Sequence, residues 1–125
     1  MQFELLARPA ASAARLTLEA GESVTCEVGA MISMSSGFNV ETTSKNRGSG
    51  KGGLLKGLKR MFSGESFFLN HFTATNANQT LLIGPQQLGD IIHHQLSGGT
   101  LIVQGGSWLA SSSDVEIDTT FQGLG

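Results

Sequence analysis

The sequence lacks most of the features that mark secreted or membrane-spanning proteins. A single cysteine, Cys26, excludes a disulfide within the chain and is typical of a reducing compartment. No stretch approaches the roughly 20 apolar residues of a membrane-spanning helix. The amino terminus has an acid, Glu4, within its apolar run and lacks the basic start of a signal peptide. We therefore expect a cytoplasmic protein with neither a signal peptide nor a transmembrane segment.

Patterns that would indicate an enzyme are also missing. His93 and His94 are adjacent, so on a strand they face opposite sides and cannot bind one metal ion together. The glycine-rich residues 48–52 lack the spacing of a phosphate-binding loop. No serine stands in the strained turn that exposes a nucleophile. We expect no catalytic residue, no metal and no cofactor.

Charge is scarce and nearly balanced, with 8 basic and 10 acidic residues and a net charge of −2. The composition as a whole therefore predicts neither a nucleic-acid nor a membrane partner. The distribution is uneven, because residues 45–60 hold six of the basic residues and no acid, and apolar residues recur there at the spacing of one helical face. Two interpretations remain open: a solvated loop followed by a short element that covers a sheet edge, or a surface that binds anionic membrane, RNA or another protein. The six candidate binding residues are Lys45, Arg47, Lys51, Lys56, Lys59 and Arg60.

The sequence has 17 glycines but only two prolines. Apolar residues alternate with polar ones over short runs. This pattern is typical of short strands joined by tight turns. It predicts roughly eight to eleven strands in an all-β sandwich or jelly roll. The later strands are predicted at residues 66–74, 79–83, 91–96 and 100–104. The residues expected in the core are Val24, Cys26, Val28, Phe38, Val40, Leu101, Val103, Val115 and Ile117.

The strongest indication of architecture is an internal repeat. Residues 29–43, GAMISMSSGFNVETT, match residues 106–120, GSWLASSSDVEIDTT, at a constant offset of 77 positions. The offset extends backwards without a gap, so that Gly21 matches Gly98. A repeat at a fixed spacing predicts a fold built from two like units.

The second unit is incomplete. Within a single β domain formed by the whole chain, the first unit covers about residues 1–88 and the partial second unit about residues 89–125. Strand edges without partners tend to pair with other chains. We therefore expect a symmetric homo-oligomer whose interface involves residues 100–125. Trp108 and Leu109 are candidate interface residues, because a strand there would place them on opposite faces.

Short motifs throughout the chain resemble one family. They include Gly-Glu-Ser-Val at residues 21–24, Gly-Ala-Met at residues 29–31, Gly-Glu-Ser-Phe-Phe at residues 64–68 and Ser-Trp-Leu-Ala at residues 107–110. In these motifs the sequence is similar to the altered-inheritance-of-mitochondria family, found in bacteria and mitochondria. The resemblance implies a β-sandwich like that of the tryptophan RNA-binding attenuator proteins, in two copies per chain, and no established enzymatic activity. It supplies no catalytic or binding residues.

The function expected from these observations is that of a non-enzymatic scaffold or assembly protein that self-associates through β-sheet surfaces. The resemblance adds a link to mitochondrial biogenesis, since mitochondrial members of the family are associated with inner-membrane organisation and complex assembly. The alternative is a binding module that contacts an anionic membrane, RNA or a protein partner through residues 45–60, with nucleic acid the least favoured of these partners.

Overall fold

The computed structural model describes residues 1–45 and 67–117, which form eight β-strands and one turn of 3-10 helix at Gly105–Ser107. The fold class of these residues is all-β, as predicted. The strands are β1 (Gln2–Leu6), β2 (Ala13–Leu18), β3 (Ser23–Glu27), β4 (Met31–Met34), β5 (Phe38–Lys45), β6 (Phe67–Ala74), β7 (Gln79–Ile83) and β8 (Ala110–Ser112).

The strands form two antiparallel sheets of four strands each. Sheet A has the strand order β1-β2-β7-β4, and sheet B has the order β5-β6-β3-β8. Short connections lead from β2 to β3, from β4 to β5 and from β6 to β7, so the chain crosses repeatedly from one sheet to the other. These crossings stack β2 on β3 and β7 on β6. As a consequence, β4 and β5 lie along one side of the sandwich, and β1 and β8 lie along the opposite side.

The core lies between the two sheets and is made by alternate residues of the central strands. In β2, Leu16 and Leu18 are buried while Arg15 is exposed, since successive side chains of a strand point to opposite faces. The predicted burial of Val24 and Cys26 in β3 is confirmed. The remaining members of this core are Ala14, Ala30, Phe72, Ala74, Leu81 and Ile83.

The edge of sheet B is less well covered than the alternation of β5 predicts. Phe38 is half-buried and packs edge-on against Phe72, with ring centroids 6.1 Å apart and ring planes at 85°. The predicted burial of Val28 and Val40 is wrong, because both side chains are exposed. Val40 is paired with buried Phe72, but it lies on the outermost strand of the sheet, and Val28 lies beyond the end of β3.

The described part of the second unit has fewer strands than the sequence predicts. The strands predicted at residues 91–96 and 100–104 are absent from the described structure, where both stretches are irregular. The predicted burial of Leu101 and Val103 is also wrong, since both side chains are exposed. A stretch of β-forming residues becomes a strand only where a partner strand accepts it, and in this part of the described chain only β8 pairs, with β3.

One backbone conformation is shared by the two copies. Gly21 and Gly98, which occupy equivalent positions of the repeat, both have a positive φ, 86° and 78° respectively. Glycine adopts this conformation without the steric cost that other residues pay.

Val115 and Ile117, expected in the core, are half-buried and lie outside the strands. The repeat of structural units and the likeness to attenuator proteins stay predictions.

The irregular stretch after β7 is fastened to the rest of the fold by Asp90. Its Oδ1 accepts hydrogen bonds from the Arg8 Nε at 2.8 Å and from the buried Ser12 hydroxyl at 2.7 Å, and its Oδ2 accepts one from the Arg8 Nη2 at 2.9 Å. The backbone amide of Ile91 also donates to Oδ1. The hydrogen bonds from Arg8 and Ser12 hold the pKa of Asp90 well below its usual range. Asp90 thus ties this stretch to the β1–β2 connection.

Replacing Asp90 by Asn is expected to lower the thermal unfolding midpoint at pH 7 by a few degrees, because the neutral amide loses the paired charge of Arg8. Because the pKa of Asp90 is lowered in the folded state, its ionised carboxylate stabilises the fold fully above the unfolded-state pKa of about 3.9. This contribution is lost as the pH falls below that value. The difference between the two proteins should therefore shrink from pH 5 towards pH 2. Glu4→Gln, which removes the same charge from the exposed Arg15 pair, is the matched control and should change little. Equal midpoints for Asp90→Asn and the unmodified protein at pH 7 would contradict this role.

Candidate interaction surfaces

The basic residues singled out in the sequence fall almost entirely outside the described part of the chain. Lys45 is the last residue of β5 and is paired in register with Phe67 at the start of β6. The other five candidates lie outside the described residues: Arg47, Lys51, Lys56, Lys59 and Arg60. Their role in binding therefore stays a prediction from the sequence.

The two candidate interface residues have different surroundings. The indole Nε1 of Trp108 donates a hydrogen bond to the hydroxyl of Ser111 at 2.6 Å, and the ring is half-buried. Leu109 packs its side chain against the core, and its carbonyl accepts a hydrogen bond from the Glu27 amide at 2.9 Å. The expectation that a strand holds them on opposite faces is wrong, because β8 begins only at Ala110. Leu109 therefore helps to cover the core.

A run of apolar side chains is exposed shortly before β8. Leu101, Ile102 and Val103, which we call the 101–103 stretch, have exposed fractions of 50%, 73% and 45%. They are consecutive, so they present apolar surface on more than one side of the chain. This stretch lies within residues 100–125, the region in which the sequence predicts an oligomer interface.

A second exposed apolar surface lies along the side of the sandwich formed by β4 and β5. Met31 and Met34 are paired in register with Ile83 and Leu81, both buried, and Val40 is paired with buried Phe72. The register therefore points these three side chains towards the interior, yet they are 40%, 41% and 44% exposed. The interior is open here, because β4 and β5 are edge strands with no further strand beside them among the described residues.

Two further apolar side chains extend this surface at the end of sheet B. The Val28 amide donates to the Phe68 carbonyl at 3.3 Å, which sets the two residues side by side, and both side chains are exposed. We call the whole surface the β4–β5 face and define it as Val28, Met31, Met34, Val40 and Phe68. The sequence missed it, since alternation shows which residues share a face of a strand and not whether another sheet covers that face.

The outer face of sheet B carries a row of hydroxyl groups around one histidine. The Nδ1 of His71 lies 3.1 Å from the Thr25 hydroxyl, and its Nε2 lies 2.9 Å from the Thr43 hydroxyl. Ser23 and Thr73 share a further hydrogen bond of 2.8 Å across the same two central strands. Both ring nitrogens lie within hydrogen-bond distance of hydroxyls, so the imidazole connects the three strands β3, β5 and β6.

An open cleft of about 440 Å³ lies beside the start of β3. Its two carboxylates are already engaged: Glu22 Oε1 accepts from the Glu19 amide at 2.8 Å and Glu22 Oε2 contacts the amino terminus at 2.6 Å, while Asp114 accepts from the Ser112 hydroxyl. The hydrogen bond from Glu19, followed by that from the amino terminus, lowers the pKa of Glu22. Within residues 1–45 and 67–117, no group of three His, Cys, Asp or Glu side chains is arranged to hold a metal ion.

The fold and these surfaces define an all-β sandwich with two exposed apolar surfaces. A family model described as mitochondrial biogenesis AIM24 matches residues 3–125, and the chain therefore belongs to the AIM24 family. This match confirms the resemblance found in the short motifs. No curated protein and no solved structure matches the chain. The described residues contain no helix with the length and apolar character needed to cross a membrane.

Proposed function

We propose that the protein is a non-enzymatic assembly protein that self-associates through its β-sheet surfaces. Membership of the AIM24 family relates this role to mitochondrial biogenesis. The observation that carries the proposal is the 101–103 stretch, in which three consecutive apolar side chains face water.

Exposed apolar surface is unfavourable in water, and contiguous patches on soluble proteins commonly mark interaction sites. Leu101, Ile102 and Val103 also favour the extended conformation that strands require. A stretch of this kind gains both apolar burial and backbone hydrogen bonds when it lies against a sheet edge of another molecule. Among the described residues the chain itself presents such edges at β1 and β8, so a second copy is the partner that is always available.

Analytical ultracentrifugation at micromolar concentration should show more than one chain per particle. Ile102→Asp is expected to weaken the association at least about 10-fold, because a charge must then be desolvated in an apolar contact. The substitution is suited to the test since Ile102 is exposed and its loss leaves the core intact.

Leu88→Asp is the matched control, because Leu88 is still more exposed and lies in a different part of the irregular region. It should leave the mass unchanged. A protein that stays monomeric at high micromolar concentration would defeat the proposal, as would equal effects of the two substitutions.

A second candidate function is binding of an anionic surface through residues 45–60. The favouring observation is the distribution of charge: outside this segment the chain has only two basic residues, Arg8 and Arg15, and both are engaged with acids of the same chain. Electrostatic attraction to phosphates would therefore rest on the segment alone. Such binding is compatible with self-association and does not replace it.

A further inference from the structure

We propose that the β4–β5 face is a docking site for a second copy of this chain, in a contact with two-fold symmetry. The inference rests on the proposed function, self-association, and identifies a surface for it that is separate from the 101–103 stretch. Met31, Met34 and Val40 point towards the interior of the sandwich and are not covered there.

The β4–β5 face has the apolar area that such a contact needs. Its five side chains expose roughly 350 Å² of apolar surface, which lies in the range of about 300–600 Å² for the largest, often functional, patch of a monomer. An interface of standard size buries about 800 Å² on each partner, of which a little over half is apolar. The face thus supplies most of the apolar part of one side of a stable interface.

The absence of charge on this face favours a second copy over a charged partner. Acidic side chains outnumber basic ones among the described residues, so two copies repel each other wherever charged surfaces meet. Depletion of charge is also typical of the centre of interfaces. The interior-facing positions of the two edge strands are all uncharged: Met31 and Met34 in β4, and Phe38, Val40, Thr42 and Ser44 in β5.

A two-fold contact requires a surface that fits its own copy. Two of the five side chains are methionines, whose flexible and polarisable chains adapt to irregular gaps. Among the described residues, β4 and β5 are edge strands, and both edges lie on the same side of the molecule. Side-by-side docking of two copies therefore covers the open interior and brings bare strand edges together.

The face is independent of the 101–103 stretch. The stretch precedes β8, and β8 and β5 are opposite edges of sheet B. A substitution on one surface therefore leaves the other intact. This separation allows the two contacts to be tested one at a time.

Val40→Glu tests the face by placing two like charges close together across the two-fold axis. We expect the association constant of this contact to fall at least about 100-fold, measured by sedimentation velocity over a range of concentrations. Asn39→Glu is the matched control, because it adds the same charge at the neighbouring position of β5, on the outer face of sheet B. It should leave association unchanged.

Val40→Cys keeps the test decisive if the glutamate variant fails to fold. Under mild oxidation it should form a covalent dimer, since two-fold docking brings the two thiols close, and buried Cys26 should not compete. Asn39→Cys should remain uncrosslinked.

The outcomes separate this inference from the proposed function. If Ile102→Asp weakens association while Val40→Glu does not and Val40→Cys stays uncrosslinked, self-association stands and the β4–β5 face is rejected. If Val40→Glu alone weakens association, the face stands and the 101–103 stretch is rejected. An unmodified protein that is monomeric at high micromolar concentration overturns both.

Discussion

Truncating Phe72 to alanine is expected to lower the free energy of unfolding by about 3–5 kcal/mol. The side chain is 1% exposed and lies between Val24 on β3 and Val40 on β5 in the register of sheet B. It also receives the edge-on contact of Phe38. Removing the ring leaves a cavity between the two sheets, since the surrounding strands are held by their ladders and cannot close on it.

Phe68→Ala is the control for this prediction. It removes the same side chain from the same strand, but Phe68 is 46% exposed, so the loss should be about 1 kcal/mol or less. Urea denaturation of dilute samples, in which association is minimal, measures both variants. Similar losses for the two substitutions would mean that Phe68 is covered in the folded protein to the same extent as Phe72.

The thiol of Cys26 is expected to react roughly 1,000-fold more slowly in the folded protein than in the unfolded chain at pH 8. Burial raises the pKa of this thiol to about 12, against an ordinary value of about 8.5, and only the thiolate is nucleophilic. Rates of alkylation by iodoacetamide, followed by mass spectrometry with and without guanidinium chloride, measure the ratio. The exposed cysteine of Leu88→Cys should react at close to the unfolded rate in both conditions, since Leu88 is 86% exposed.

The raised pKa of Cys26 also predicts how the stability of the fold changes at high pH. A thiol whose pKa is raised in the folded state contributes fully to stability below its unfolded-state pKa. This contribution is lost as the pH rises above the unfolded-state pKa. The free energy of unfolding should therefore begin to fall above about pH 8.5, and Cys26→Ala should remove this part of the pH dependence. Folded and unfolded alkylation rates within 10-fold of each other would show that Cys26 is accessible.

The central strands were predictable from the sequence because their pattern and their surroundings agree. The strands predicted at residues 66–74 and 79–83 are found at Phe67–Ala74 and Gln79–Ile83. Val24 and Cys26 alternate with polar neighbours and are buried as expected, since β3 lies inside sheet B and is covered by β2. Alternation is a reliable guide where both neighbours and the opposite sheet are present.

The exposure of the edge strands and the absence of strands in the irregular region were not predictable, because both depend on which strands are neighbours in the fold. Val40 alternates in the same way as Val24, but its position on an edge strand is a property of the strand order and not of the local pattern. Residues 100–104 have strong strand preference and form no strand, because a ladder requires a partner in the fold. The β4–β5 face shows this limit, since the pattern predicts burial of Val28 and Val40 and both are exposed.

The repeated crossing of the chain between sheets determines how the protein must fold. Within sheet A, β7 is inserted between β2 and β4, so this sheet is complete only when residue 83 has arrived. Within sheet B, β3 lies between β6 and β8, so that sheet is complete only when residue 112 has arrived. Most pairings therefore join parts of the chain that are far apart in sequence, as between β2 and β7 or β3 and β6. Closing these long loops must precede the gain from pairing, which slows folding to about milliseconds to seconds for sandwiches of this kind. During synthesis the first strands emerge before their partners, and the nascent chain must wait for its carboxyl-terminal half before the core can close.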